Sequence, residues 1–350
     1  MSAEAPIRVI IVDDSLVARE MLTQILSSDP AIEVVGTARD GREAVEMVAR
    51  MRPDLVTMDI HMPHMDGIEA VERIMAFTPT PILVVSSSVH GEGIGRAFDA
   101  LAAGALEVIK KPEPRDWADL QRIGTEIIHK VKILAKVKVI THIRGRRPRR
   151  QGPAVAVAPF REGIRRSIIA IGSSTGGPSA LMSVLGGLPR DLPVPIVIAQ
   201  HIADGFVPGL VSWLDAACRI SVRAAEDGQT VEPGVAYFAP TGLNLEVRGM
   251  EVGFGVPRKD QLYVPSADTL FETTARSHGG RAVGVLLTGM GADGAVGLKM
   301  LHDAGAPTIA QDEETSTVFG MPKAAIDAGA VSKILPVQDI AEEIVRVTHC

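Results

Sequence analysis

The chain has 350 residues, a formal charge of −6, 46% hydrophobic residues, 3% aromatic residues and two cysteines. That length suits two ordinary domains. Two cysteines exclude a disulfide framework, the segment Met1–Pro6 lacks the basic and apolar regions of a secretory signal, and no apolar run reaches the ~18 residues of a membrane span. A cytoplasmic protein with no membrane span is therefore expected, with cores of Val, Ile, Leu, Ala and Met in an α/β fold. Mild acidity speaks against nucleic acid as the main partner.

In chain order, Ile7–Val12 is an apolar run ending in Asp13-Asp14, the pattern of a buried parallel strand. Ser15 caps a helix whose apolar positions are Leu16, Val17, Met21, Leu22 and Ile25. Ile32–Gly36, a helix from Gly41 to about Arg50, and Asp54–Met58 follow, the last ending in Asp59. Pro81–Val85 ends in Ser86, and Leu106–Ile109 ends in Lys110-Lys111-Pro112. Strand and helix alternate about five times, which predicts a doubly wound parallel sheet. Such sheets collect functional groups at the carboxyl ends of their strands, here Asp13, Asp14, Asp59, Ser86 and Lys111.

Three carboxylates at one edge repel one another unless a cation sits among them, and hard oxygen ligands suit Mg²⁺. Lys111 adds positive charge, Ser86 offers a hydroxyl to a phosphoryl oxygen, and Asp59 can attack phosphorus to form an acyl phosphate. These residues, with the runs Val12–Ser15, Met58–Gly67 and Lys110–Pro112, resemble the receiver domain of two-component response regulators. The resemblance implies that Asp59 is the phospho-acceptor. It also implies that Asp13, Asp14, Asp59 and the backbone carbonyl of His61 hold Mg²⁺, and that Ser86 and Lys111 bind the phosphoryl group. A histidine kinase is the implied phosphodonor. Val108 departs from the aromatic residue that many receivers carry three positions before the lysine. The side chains of His61 and His64 read as exposed loop histidines.

The stretch from Lys130 to Arg150 holds Lys130, Lys132, Lys136, Lys138, Arg144, Arg146, Arg147, Arg149 and Arg150, and no acid lies between Glu126 and Glu162. Without these nine, 27 Lys and Arg face 42 Asp and Glu, a charge of −15 for the rest. With Gln151–Pro159, rich in Ala, Val and Pro, it reads as a helix running into a solvated extended linker. A docking or nucleic-acid patch is the alternative; no aromatics interleave the charges, which speaks against the nucleic-acid option. The expected division is a receiver over 5–132, a basic linker over 133–163 and a second domain over 164–350.

Ser167–Ile171 is again an apolar strand, followed by Gly172-Ser173-Ser174-Thr175-Gly176-Gly177-Pro178 and a helix carrying Leu181, Val184 and Leu185. The string fits neither a dinucleotide fingerprint nor a Walker loop. It fits the G-x-S-x-G nucleophile elbow, with Pro178 in the first helical turn; a plain anion-binding turn is the alternative. Val194–Gln200 ends in His201, a candidate base on the same sheet edge as Ser174. Ala282–Leu287 leads into the glycine-rich Thr288–Gly294, where Asp293 is the candidate orienting acid. The order Ser174, His201, Asp293 differs from that of α/β-hydrolases, so the triad is defined by role rather than by order.

The segments Gly172–Gly177, Gln200–Ile202 and Leu287–Gly294 resemble the catalytic domain of the chemotaxis protein-glutamate methylesterases, the CheB family. Ala239-Pro240, Val264–Asp268 and Phe319–Pro322 also match. Ser173 stands where the family often has alanine, a small change, and Asn244 where many members have histidine, a change expected to touch substrate contacts and not the triad. The resemblance implies a doubly wound parallel-sheet methylesterase domain acting on methylated glutamates of chemoreceptors, with glutamine deamidase activity and no cofactor for hydrolysis. The Met290 N–H is implied as oxyanion donor, with Thr175 supporting the serine turn. The unphosphorylated receiver is implied to cover the catalytic cleft. The rival class is a non-enzymatic regulator whose second domain binds a partner. A transcriptional output domain is disfavoured, since no basic helix-turn-helix pattern ends the chain.

Overall fold

The computed structural model describes residues 5–87, 93–114, 116–139, 165–259 and 261–348. Two compact units divide the chain, Met1–Arg147 and Pro148–Cys350. Among the described residues no helix is long and apolar enough to cross a membrane.

The first unit runs β1 (Ile7–Val12), α1 (Leu16–Ser27), β2 (Ile32–Ala38), α2 (Gly41–Met51), β3 (Leu55–Met58), α3 (Gly67–Phe77), β4 (Ile82–Ser86), α4 (Gly93–Ala102), β5 (Glu107–Lys110) and α5 (Trp117–Leu134). Its strands form one sheet in the order β2-β1-β3-β4-β5, with every pairing parallel. This is the flavodoxin-like order that the receiver resemblance implies. Val9, Ile11, Leu22, Leu26, Leu83 and Val85 belong to one core cluster.

Helix starts are fixed by side-chain caps, as sequence pattern suggests. Ser15 accepts from the Ala18 N–H, Asp40 from Arg42 and Glu43, and Asp66 from Glu69. The apolar face of α1 differs from expectation. Leu22, Ile25 and Leu26 are buried, but Leu16 and Val17 are 60% and 67% exposed. They lie in the first turn, beyond the reach of the sheet. Helix α5 ends at Leu134, and its lysines belong to the first unit's own ion pairs: Lys130 with Glu107 at 3.8 Å, and Lys132 with Asp29. The arginines of the connector and Gln151–Pro159 lie outside the described residues.

The second unit runs β6 (Ile168–Ser173), α6 (Gly177–Gly187), β7 (Ile196–Gln200), α7 (Val207–Ala217), β8 (Ser221–Ala224), β9 (Gln229–Thr230), β10 (Val235–Phe238), β11 (Asn244–Arg248), β12 (Glu251–Gly255), α8 (Ala267–His278), β13 (Ala282–Leu286), α9 (Ala295–Asp303), β14 (Thr308–Gln311), α10 (Met321–Asp327), β15 (Lys333–Leu335) and α11 (Val337–Thr348). Seven strands form a sheet in the order β15-β14-β13-β6-β7-β10-β8, all parallel. From β6 the chain passes to β7 on one side, and β13 later returns on the other. The carboxyl end of β6 is therefore a topological switch point, where open α/β sheets form their sites.

A small antiparallel sheet, β11-β12-β9, adds to the doubly wound plan. It is tied to α8, since the Val247 N–H donates to Thr273 Oγ1 at 3.1 Å and Ser277 Oγ donates to the Val247 carbonyl at 2.8 Å. Cys218 makes no disulfide, and burial pushes its thiol up to about 11.

Candidate functional site

The carboxyl edge of the first sheet gathers the expected residues. Asp13, Asp14 and Asp59 can each place a carboxylate oxygen within 4.8 Å of the others. Asp13 and Asp59 are buried, whereas Asp14 is exposed. Lys111 Nζ lies 2.8 Å from Asp13 Oδ2 and 3.0 Å from Asp59 Oδ2. Burial raises the Asp59 carboxyl, the charge of Asp13 adds to that, and Lys111 offsets part of it. Burial works against the charged form of Lys111, but the two carboxylates raise it overall. Ser86 is fully buried at the end of β4, and its carbonyl accepts from the Lys111 N–H at 2.9 Å. Gly67 is required by packing, because a Cβ there would meet the Asp59 carbonyl oxygen. His61 and His64 are exposed. Val108 is buried in β5, paired with Val84.

In the second unit, β6 and β7 are adjacent and in register at Ser173 and Gln200, while β6 and β13 pair Gly172 with Leu286. Ser174, His201 and the loop bearing Asp293 therefore leave the same sheet edge from three neighbouring strands. Ser174 is 7% exposed. Its N–H donates to the Thr288 carbonyl at 3.0 Å. The turn passes through Gly176 at φ 76°, a left-handed conformation that suits glycine. Helix α6 then begins with Pro178 in its first turn.

His201 Nε2 and Asp293 Oδ2 are 2.7 Å apart. An ionised carboxylate only accepts, so Nε2 carries the ring proton and Nδ1 is left with a lone pair. Nδ1 is buried without a hydrogen-bond partner among the described residues. In the familiar serine-protease triad it is Nδ1 that faces the acid.

Asp293 sits on the N-terminus of α8. It accepts from Ser266 Oγ at 2.9 Å, the Ala267 N–H at 2.7 Å and the Asp268 N–H at 3.1 Å. Burial works to raise its carboxyl, but the His201 hydrogen bond and charge, with the N–H groups of α8, hold it below the usual carboxylate range. The favour is returned by Asp268, which accepts from the Gly297 N–H of α9 at 2.8 Å. Burial and the charge of Asp293 push Asp268 up to about 6, against the pull of the Gly297 and Gly294 N–H groups.

Met290 follows Gly289, whose carbonyl accepts from the N–H groups of Gly320 and Met321 at 3.0 and 2.9 Å. An ideal Cβ at Gly289 would lie 2.8 Å from Ser174 Cβ, so only glycine lets this loop approach the serine. The Met290 N–H has no hydrogen bond among the described residues. Thr175 is buried, and its carbonyl accepts from Thr288 Oγ1 at 3.0 Å.

Several supporting residues escaped the sequence reading. Gln200, 2% exposed, donates through Nε2 to the carbonyls of Ser174 and His201 at 2.8 and 2.7 Å. Its Oε1 accepts from Ser173 Oγ at 2.6 Å. A polar residue closing an apolar strand was its only local signal. Ser266 was visible merely as part of a matching segment. Asn244, expected to affect substrate contacts and not the triad, is 3% exposed and is linked through Ser266 to Asp293. Its Oδ1 accepts from the Ser266 N–H at 2.9 Å, and it exchanges two hydrogen bonds with Gln261. A buried amide here braces the cap of α8, which braces Asp293. Tyr263 stacks on His201 with ring centroids 4.6 Å apart and planes 3° from parallel.

Residues 169–344 match the CheB methylesterase family, and residues 9–120 match the response regulator receiver domain. The chain is 46% identical to protein-glutamate methylesterase/protein-glutamine glutaminase 2 of Anaeromyxobacter dehalogenans, over 99% of this chain and 98% of that protein. It is 43% identical to protein-glutamate methylesterase/protein-glutamine glutaminase 1 of Syntrophus aciditrophicus, over 97% of this chain and 98% of the other. A third relative, protein-glutamate methylesterase/protein-glutamine glutaminase 3 of Myxococcus xanthus, is 43% identical over 99% and 95%. With matches at this level along both units, the chain belongs to the CheB methylesterase family and carries a response regulator receiver domain at its N-terminal end.

Proposed function

We propose that this protein is a phosphorylation-activated protein-glutamate methylesterase and protein-glutamine deamidase acting on the cytoplasmic helices of methyl-accepting chemoreceptors. The observation that carries the reading is the hydrogen-bonded line from the α8 N-terminus through Asp293 to His201, with a buried lone pair at Nδ1 on the sheet edge that carries Ser174. Such a line has no use in a module that only binds a partner.

Ser174 Oγ attacks the ester carbonyl of a methylated glutamate, and His201 Nδ1 takes the serine proton. Asp293 holds the ring and stabilises its charged form. The Met290 N–H donates to the oxyanion, and the carbonyl of Thr175 helps anchor the serine turn. The tetrahedral intermediate expels methoxide, which receives the proton from His201 and leaves as methanol. Water then enters, gives a proton to His201, attacks the acyl carbonyl and releases glutamate as Ser174 regains its proton. A primary amide follows the same course and releases ammonia.

In the receiver, Asp59 takes the phosphoryl group from a histidine kinase, and Ser86 and Lys111 bind its oxygens. The carboxylates of Asp13, Asp14 and Asp59 form a hard-oxygen set that suits Mg²⁺, completed by the carbonyl of His61; the ion supplies charge neutralisation for phosphoryl transfer. Hydrolysis uses no cofactor, and the reaction takes place in the cytoplasm. Replacing Ser174 by Ala removes methanol release from methylated receptor while the chain stays folded. Methanol release at the wild-type rate from the S174A chain overturns the assignment.

A further inference from the structure

Resting on the esterase reading above, we infer that Tyr263 is a positioning residue that fixes the ring plane of His201. The hydrogen bond to Asp293 secures His201 at one atom, Nε2. Rotation about the bond from Cβ to the ring is soft for histidine. It leaves the ring tip near its place but swings Nδ1 through an arc. Nδ1 is the atom that must meet Ser174, and it has no hydrogen bond of its own to stop that swing. Tyr263 covers one face of the imidazole at 4.6 Å and 3°, so rotation drives the ring edge into the phenol.

The hydroxyl of Tyr263 lies beside Gly291, where an added Cβ would come within 3.2 Å of it. The segment around it is fixed on both sides by one buried residue. Asn244 Nδ2 donates to Gln261 Oε1 at 3.0 Å, Gln261 Nε2 donates back to Asn244 Oδ1 at 3.1 Å, and the Ser266 N–H donates to the same Oδ1 at 2.9 Å. One short stretch, 261–268, thus grips two members of the site: His201 by the face, through Tyr263, and Asp293 by its carboxylate, through Ser266, Ala267 and Asp268.

The test compares Tyr263→Leu and Tyr263→Phe in the full chain, activated with a small phosphodonor and Mg²⁺, on methylated receptor. Leu keeps bulk but loses the flat face, whereas Phe keeps the stack. Misplacing a reacting group by an ångström costs up to about 100-fold, and partial loosening is expected to lower kcat of Y263L about tenfold with KM within about twofold. The Phe variant should stay within about twofold of wild type in both constants. An unchanged kcat in Y263L, or a loss equal in both variants, overturns the proposal. Nitrogen and proton NMR of the His201 ring supplies a readout independent of turnover: a single Nε2–H tautomer with ring-current-shifted protons in wild type and Y263F, and an averaged ring in Y263L. If wild type releases no methanol, the esterase reading fails, while the NMR comparison still decides whether Tyr263 fixes the ring. A Y263L spectrum unchanged at His201 overturns the inference.

Discussion

Gln200 shows how one buried amide can organise a reacting pair without touching substrate. Its two N–H bonds end on the carbonyls of Ser174 and His201, the nucleophile and the base of the proposed reaction. Its oxygen takes the hydroxyl of Ser173, a residue that stands where the family often has alanine. The Ser174 carbonyl and the Ser173 hydroxyl are buried and the His201 carbonyl is part-buried, so a lost partner at the two buried groups leaves an unsatisfied polar atom costing about 1–3 kcal/mol. Replacing Gln200 by Leu should therefore lower stability by about 3 kcal/mol and kcat about tenfold. Replacing Ser173 by Ala alone should cost about 1 kcal/mol, because Gln200 keeps its two donated bonds. In the Q200L background the same Ser173→Ala change should cost nothing or stabilise, because it removes a hydroxyl already stranded. Denaturant melts of the four chains check this; additive effects would show that the Ser173–Gln200 bond carries no coupling.

Two helices exchange carboxylates across the site. Asp293, just before α9, sits on the N-terminus of α8, and Asp268, in the first turn of α8, sits on that of α9. Helix N-termini favour such negative charge, yet the two acids are close enough to oppose each other's ionisation. The opposite shifts fix the sign of the pH dependence. The folded chain binds a proton at Asp268 more tightly than the unfolded chain, with its carboxyl at about 6 against the ordinary 3.8. This residue's contribution to stability therefore falls as pH rises from about 4 to 6. Asp293, held low, contributes stability that is present above its ordinary range and lost as pH falls. An Asp268→Asn chain lacks the first effect and keeps the second, so its melting temperature relative to wild type should rise between about pH 4 and 7. A difference that stays flat with pH would count against the exchange. None of this was legible in sequence, because Ser266 and Asp293 meet across 27 positions. Buried central strands were legible, since β1, β6 and β7 read as apolar runs ending at their candidate site residue and β13 as one leading into the loop that bears Asp293. The edge strands β8 and β15 are only partly buried and carry no such run. The hairpin β11–β12 mixes exposed and buried positions, so the brace that holds α8 also went unread.

At the scale of the whole chain, each sheet carries at its carboxyl edge one oxygen to which the proposed function gives a reaction, Asp59 in the first and Ser174 in the second. Each unit has an aliphatic core of its own, so the second can keep its fold when the first is removed. In the proposed function, phosphorylation would replace the single charge of Asp59 by about −2 beside Lys111, which lies 3.0 Å from Asp59 Oδ2 and 2.8 Å from Asp13 Oδ2. For this change to raise turnover tenfold, it must shift the balance between repressed and active states by about 1.4 kcal/mol. Three chains separate the contributions. Wild type should be stimulated by a small phosphodonor with Mg²⁺. Asp59→Asn should keep the basal rate of methanol release and lose the stimulation. A chain beginning at Arg165 should exceed the unphosphorylated full chain and ignore the phosphodonor. Repression by the receiver requires that last inequality: equal rates for the Arg165 chain and the unphosphorylated full chain would mean that phosphorylation activates by some means other than relieving it.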